Sequence, residues 1–187
     1  MRFQTILMAA AVLAGAPARA EVTAAGDSGF ATHNEVLVAA SPRQAWAEMI
    51  RPAGWWNAEH SYSGSAANMR IDPVAGGCFC EAIPATATAP AGQVEHMRVL
   101  NVAPYSTLRL SGALGPLQSE AITGVLTMTL KPEGAMTRIS WDYVVGGYMR
   151  MKMAEMAPVV DQVVGEQLQR LAVRLGRTMD PADRRLR

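Results

Sequence analysis

The sequence predicts an α+β domain in which a curved antiparallel sheet wraps around one long C-terminal helix, with a short helix region after the first strand. Three observations carry that prediction. Short extended segments separated by turn residues fill the middle of the chain, a capped helical segment follows the first of them, and an apolar stripe runs through residues 160–175. A helix with such a stripe must bury it, and the sheet is the one partner large enough to cover it. The 187 residues suit a single domain with a real core.

The first twenty residues carry a basic Arg2, an apolar run over residues 6–14, and Ala18-Arg19-Ala20. This is the pattern of a secretory signal cleaved after Ala20. The run is too short for a permanent membrane span, and no cysteine follows it to accept a lipid. Loss of Arg2 and Arg19 takes the formal net charge from +1 to −1. So balanced a chain has little pull on nucleic acid or anionic lipid. The expectation is a periplasmic or secreted protein with no nucleic-acid partner and no stable membrane anchor. Residues 21–29 read as a linker, 30–176 as the domain, and 177–187 as a basic flexible tail interrupted by Pro181.

Within the domain, "FATHNEVLV" (residues 30–38) reads as the first strand. "SPRQAWAEMI" follows, with Ser41 as N-cap, Pro42 at the first helical position and Gln44 placed for a capping box. Arg51-Pro52 ends that helix, and "GWWNAEHSYSG" reads as loop. Extended segments are expected near 69–73, 77–84, 93–103, 106–112, 119–131 and 136–146, with a Pro/Ala/Thr-rich loop around 84–92. Alternation is clearest in "GVLTMTL", where Leu126, Met128 and Leu130 oppose Thr127 and Thr129. "RISWDYVV" sets Ile139, Trp141 and Tyr143 against Ser140 and Asp142, and Pro132-Glu133-Gly134 reads as the turn between the two. Pro158 lies near the start of the last helix, and Gly176 is placed to stop it. Val160, Val164, Leu168, Leu171 and Leu175 form its apolar stripe; Glu166, Arg170 and Arg174 lie four apart opposite, in position for modest ion pairing.

The order of elements, "SPRQAWAEMIRPAGWW", Gly76-Gly77-Cys78-Phe79 and "VLNVAPYSTLRL" resemble the START-related, polyketide-cyclase and birch-pollen-allergen-like (SRPBCC) superfamily, whose fold is the helix grip. The similarity is greatest to the branch named for activators of the Hsp90 ATPase, through Ser41-Pro42 with Trp46, the Gly-Gly-x-Phe strand and the junction from Pro104 to Leu108. It spans residues 30–176. The resemblance implies a cavity between sheet and helix; it implies no particular reaction and no cofactor.

It also implies that Phe79 and Glu81 face inward and that Cys78 and Cys80 face outward. In a regular strand, residues two apart hold their Cβ atoms roughly 5.5–7 Å apart, too far for an unstrained disulfide. Free, packed thiols are therefore expected, with a Cys78–Cys80 disulfide, a metal site or intermolecular pairing as alternatives. A hairpin between 77–84 and 93–103 sets Glu81 opposite His96, with Leu100 and Val102 on the same inward face. Such a pair has the ingredients of a general acid and base. The candidate ligand-binding residues are Trp55, Trp56, His60, Phe79, Glu81, His96, Trp141 and Tyr143, with Glu81 and His96 also the catalytic candidates. His60 with Glu81 and His96 makes a conceivable two-histidine, one-carboxylate metal set, although no strong metal motif is present. One of the adjacent tryptophans is expected to bury while its neighbour faces another way, with the pair either plugging the helix-to-strand corner or forming an aromatic lid over the ligand. Met149, Met151, Met153 and Met156 suit an adaptable apolar entrance.

The functional expectation is a binding or carrier domain for a small hydrophobic or aromatic molecule. A cyclase- or isomerase-type enzyme using Glu81 and His96 is the second reading. An envelope interaction module with a filled cavity is the third.

Overall fold

The computed structural model describes residues 19–176. The expected signal segment (apart from Arg19 and Ala20) and the expected tail, 177–187, lie outside the described residues. Eight antiparallel strands form one sheet, and a 22-residue helix lies across its concave face. This is the helix-grip arrangement. No helix among the described residues is long and apolar enough to cross a membrane.

The strands are β1 (Arg19–Gly26), β2 (Gly29–Val38), β3 (Met69–Ile71), β4 (Cys78–Ile83), β5 (Gly92–Ala103), β6 (Thr107–Gly112), β7 (Ala121–Glu133) and β8 (Met136–Tyr148). They are ordered β1-β2-β8-β7-β6-β5-β4-β3 across the sheet. Residues 21–29 are therefore not a linker: they supply most of β1 and the turn to β2. Small residues in "AEVTAAG" hid the pattern, because alternation of alanine and glycine carries almost no hydrophobic signal. At the β7–β8 turn, Pro132 and Glu133 still pair with Thr137 and Met136, so the reversal is made by Gly134 and Ala135 alone.

The inward faces follow the expected parity where the strands are regular. Phe30, Val36 and Val38 from β2, Leu126, Met128 and Leu130 from β7, and Ile139, Trp141, Tyr143 and Val145 from β8 are all buried. Gly124 of β7 has a packing reason: a Cβ there would stand 2.4 Å from Tyr143 Cε2. The tyrosine ring lies over that bare backbone and donates from its hydroxyl to the carbonyl of Gly112 at 3.3 Å.

Because β2 and β3 sit on different sides of the sheet, the chain between them has to cross it. Helix α1 (Pro42–Met49) begins that crossing, with the capping box formed as expected: Gln44 N–H donates to Ser41 Oγ, and Ser41 N–H to Gln44 Oε1. Three short 3-10 turns complete it. The long helix α2 (Met153–Arg174) buries Val160, Val164, Leu168, Leu171 and, just past its end, Leu175, which is the predicted stripe. Glu166, Arg170 and Arg174 turn to the crossover segment and to α1. Arg170 donates to the carbonyl of Trp55 at 2.8 Å, Arg174 approaches Glu48 at 3.4 Å, and Glu166 serves Asn57 and His60. The helix thus clamps the crossover segment as well as the sheet.

Candidate functional site

A cavity of about 360 Å³ lies between the sheet, α2 and two loops. Ile71, Phe79, Leu110, Leu126, Met128 and Trp141 form its sheet wall, and Met156, Val159, Val160, Val163 and Val164 its helix wall. Trp56 and residues 59–62 line it from one loop, and residues 114–117 from the other. The interior is hydrocarbon and aromatic. Polar side chains reach it from the loop through Glu59, His60, Ser61 and Tyr62, and from α2 through the buried Gln167.

Hydrogen bonds hold the rim in place. Asn57 donates from its backbone to Gln167 Oε1 at 2.8 Å and from its side chain to Glu166 Oε1 at 2.7 Å. His60 Nε2 lies 3.2 Å from Glu166 Oε2. On the other side, the Tyr62 hydroxyl donates to the carbonyl of Gly115 at 2.8 Å and so joins the two loops. Neither Glu166 nor Gln167 was a candidate from sequence, where Glu166 read as an ion-pairing surface residue. Val159 and Val163 widen the helical stripe by one position each, and that doubling was the available signal. Leu114 and Leu117 were signalled by apolar residues in an otherwise turn-like "ALGPL".

Four of the eight candidates line the cavity: Trp56, His60, Phe79 and Trp141. The other four do not. Trp55 follows a 3-10 turn that sends it away from its neighbour; it is buried against Trp141 at 5.4 Å and donates from its indole to the Glu48 carbonyl. Tyr143 lies one layer deeper, over Gly124, where burial pushes its hydroxyl well above the ordinary value.

Glu81 and His96 are brought together, but behind the cavity wall. His96 Nε2 lies 3.0 Å from Glu81 Oε2, and both side chains are almost wholly buried. The rings of Trp56, Tyr62 and Phe79, all lining residues, have centroids 6.4, 5.9 and 5.2 Å from the His96 ring. Inward-facing is therefore not cavity-lining at this point of the sheet, and an acid–base role toward a molecule in the cavity loses its geometric basis. Nor are the two ladder partners. Glu81 pairs with Val94, and the register shifts so that Phe79 pairs with Met97 while Cys80 pairs with Glu95. His96 is the extra residue of a β-bulge. Successive residues His96 and Met97 both point inward, and a second register shift at Leu100 leaves that side chain 51% exposed rather than inside. The bulge presses against β6, where a Cβ on Gly112 would meet the His96 carbonyl oxygen at 2.5 Å.

The remaining partners of Glu81 show what the pair does. Tyr62 N–H donates to Oε2 at 3.0 Å, and Ser63 N–H donates to Oε1. The carboxylate anchors the loop that carries Tyr62 over the cavity rim. Burial pushes the Glu81 carboxyl up, but the donors from Ser63, Tyr62 and His96 outweigh it and hold the group below its ordinary 4.5. Burial holds His96 below 6.5 against the opposing pull of Glu81. An anion that accepts from Nε2–H and a neutral imidazole with a bare Nδ1 account for both, and among the described residues Nδ1 has no hydrogen-bond partner.

Both shifts make the fold weaker in acid. Below about 6.5 the unfolded chain protonates His96 before the folded one does, and below 4.5 the same holds for Glu81, so stability falls as pH falls through each window. Asp161, whose carboxyl burial raises above 3.8, acts oppositely: its contribution is full below 3.8 and fades as pH rises through the folded value. Thermal midpoints measured from pH 7 downward should decline from about 6.5, and His96→Phe should flatten the upper part of that decline. An unchanged profile in His96→Phe would exclude His96 as its source.

His60 turns to Glu166 and not to Glu81, so the conceivable metal set is not assembled. Among the described residues, the group of potential metal donors that does converge is Cys78, Cys80 and Glu95. Its two cysteines are joined in a disulfide, contrary to the expectation of free thiols. The reason is local: their Cα atoms are 5.3 Å apart, inside the range for a bridge, because β4 bends where its partner strand bulges. Of the four methionines expected at the entrance, Met156 alone lines the cavity; Met149 and Met153 are core and Met151 is exposed. The cavity is open, so a filled core does not describe this chain.

No protein-family model matches the chain, and no curated protein matches it. Solved structures do share its fold. Mll3558 from Rhizobium loti superposes with a TM-score of 0.58 at 17% identity, covering 79% of this chain and 97% of that one. CV1439 from Chromobacterium violaceum gives 0.54 at 15% identity over 79% and 98% of the two chains. CalU16 from Micromonospora echinospora gives 0.52 at 14% identity over 91% and 88%. At these identities the likeness establishes the helix-grip fold and nothing finer.

Proposed function

We propose that this protein is a binding or carrier domain for a small hydrophobic or aromatic molecule, held between the sheet and α2. The observation that supports this is the distribution of polarity around a cavity of about 360 Å³: apolar side chains on the sheet wall and along α2, with polar ones confined to residues 59–62 of the loop and to Gln167. Ligand sites of this size usually have that make-up. The apolar body of a ligand packs on Trp56, Phe79 and Trp141, and a polar end stays near Glu59, His60 and Gln167. The enzymatic alternative has less support, since Glu81 and His96 are spent on the loop anchor.

Two further parts of the reading rest on sequence. Placement in the branch named for Hsp90-ATPase activators rests on the motifs around Ser41-Pro42, Gly76-Gly77 and Pro104. Export to a periplasm or beyond rests on residues 1–20. Cleavage after Ala20 shortens β1 by its first two residues and keeps the pairing from Glu21 onward.

Native mass spectrometry of protein recovered from its own host is expected to show a co-purifying small molecule on a chain that begins at Glu21. In vitro, an anilinonaphthalene sulfonate probe is expected to bind the cavity. Val163→Trp places an indole from a half-buried lining position into that space. It should weaken the probe by at least about tenfold, equivalent to ~1.4 kcal/mol, without moving the thermal midpoint. No binding by the wild type, or equal binding by the variant, would overturn the cavity reading.

A further inference from the structure

The cysteine pair lies on the face of the sheet opposite the cavity. Phe79 and Glu81 point inward, and Cys78 and Cys80 take the other parity of β4. Their disulfide spans one intervening residue within a single strand. Closing so small a ring removes little chain entropy and ties no two elements together, so stability does not account for it.

What surrounds the pair is charged. Across the ladder, Cys78 pairs with Arg98 and Cys80 with Glu95 on β5, while Arg70 of β3 pairs with Cys80 from the other side. The His96 bulge turns two successive residues inward and thereby leaves Glu95 and Arg98 together on the outer face, ion-paired to each other. Arg98 also donates to the Gly76 carbonyl at 3.0 Å, which holds its guanidinium beside the start of β4. The two sulfurs and a Glu95 carboxylate oxygen all lie within 4.8 Å of one another. Access differs between the sulfurs: Cys78 is half-buried and Cys80 is 5% exposed.

We propose that Cys78–Cys80 is a thiol–disulfide exchange centre, with Cys78 the sulfur that meets the co-reactant and Cys80 the resolving one. The proposal is independent of what the cavity binds. In the reducing direction an external thiolate attacks Cys78 Sγ and the Cys78–Cys80 bond breaks. Its electron pair leaves on Cys80 Sγ, across the ladder from Arg70. A second thiolate attacks the external sulfur of the mixed disulfide, releasing the external disulfide and a Cys78 thiolate beside Arg98. The two protons shed by the external thiols end on the cysteines, so two thiols become one disulfide while the protein gains two electrons and two protons. In reverse, the Cys78 thiolate attacks a substrate disulfide, and the first substrate sulfur leaves as a thiolate that takes up the proton Cys78 shed. Cys80 then gives its proton to Glu95 and attacks Cys78 Sγ, closing the ring; the second substrate sulfur leaves and takes that proton, so one disulfide becomes two thiols. Positive charge beside a thiolate favours it as attacking and as leaving group.

Folded protein equilibrated anaerobically with reduced and oxidised glutathione, then trapped with an alkylating reagent, tests this. Exchange chemistry requires the dithiol, carrying two alkyl groups, to form in folded protein with unchanged circular dichroism. Cys80→Ser should accumulate a glutathione mixed disulfide on Cys78, and Cys78→Ser should form one on Cys80 roughly tenfold more slowly. Arg98→Gln should slow capture at Cys78 in the Cys80→Ser background. A bridge that glutathione opens only in denatured protein, or equal capture rates for the two single-cysteine variants, would overturn it.

Discussion

Glu81→Ala is expected to lower the unfolding free energy by about 3–5 kcal/mol, because it leaves several donors without their acceptor at roughly 1–3 kcal/mol each. The deletion strips the acceptor from three donors at once: Tyr62 N–H, Ser63 N–H and the His96 ring. Glu81→Gln preserves volume and still accepts at one oxygen, but its amide then faces the Ser63 N–H donor to donor. Its cost should be smaller, ~1–3 kcal/mol. Denaturant unfolding measures both. Probe binding should fall in Glu81→Ala as well, since the loop carrying Tyr62 loses its anchor. A variant with wild-type stability and reduced binding would instead return Glu81 to the cavity wall.

Where the chain is regular, its fold was legible. Period two in "GVLTMTL" and "RISWDYVV", the capping box at Ser41, and the stripe from Val160 to Leu175 are local signals, and each appears in the structure as read. The site was only half legible, because much of it depends on departures from regularity. The His96 bulge is decided by pairing between strands, and its one sequence trace is Gly112, whose reason appears only once β5 lies beside it. That bulge changes the ladder partner of Glu81, turns Leu100 outward and bends β4 until Cys78 and Cys80 can bridge. The parity argument correctly put Glu81 and His96 on the inner side. What it could not supply was depth, since Trp56 and Tyr62 come from a loop whose path over the pair is set by hydrogen bonds to Glu81 and to α2. Trp55 and Trp56 illustrate the same limit: adjacency guarantees that they diverge, but the turn before them chooses which one reaches the cavity.

Leu168→Ala should cost ~2–5 kcal/mol, because the side chain is fully buried on α2 and its removal leaves a void that a helix packed on a sheet relaxes only in part. For a domain of this size, each kcal/mol corresponds to about 2–4 °C in midpoint, so the shift is readily measured by calorimetry. Leu168 does not line the cavity, so probe affinity measured well below the midpoint should stay near wild type. Val159→Ala is the reciprocal case. Val159 is 51% exposed at the rim and lines the cavity, so its truncation should change stability by no more than about 0.5 kcal/mol while weakening the probe. The two variants separate the grip of the helix from the lining of the cavity, although both residues lie on α2. If Leu168→Ala leaves stability unchanged, the helix does not hold the sheet. If Val159→Ala leaves probe affinity unchanged, the ligand enters by another side.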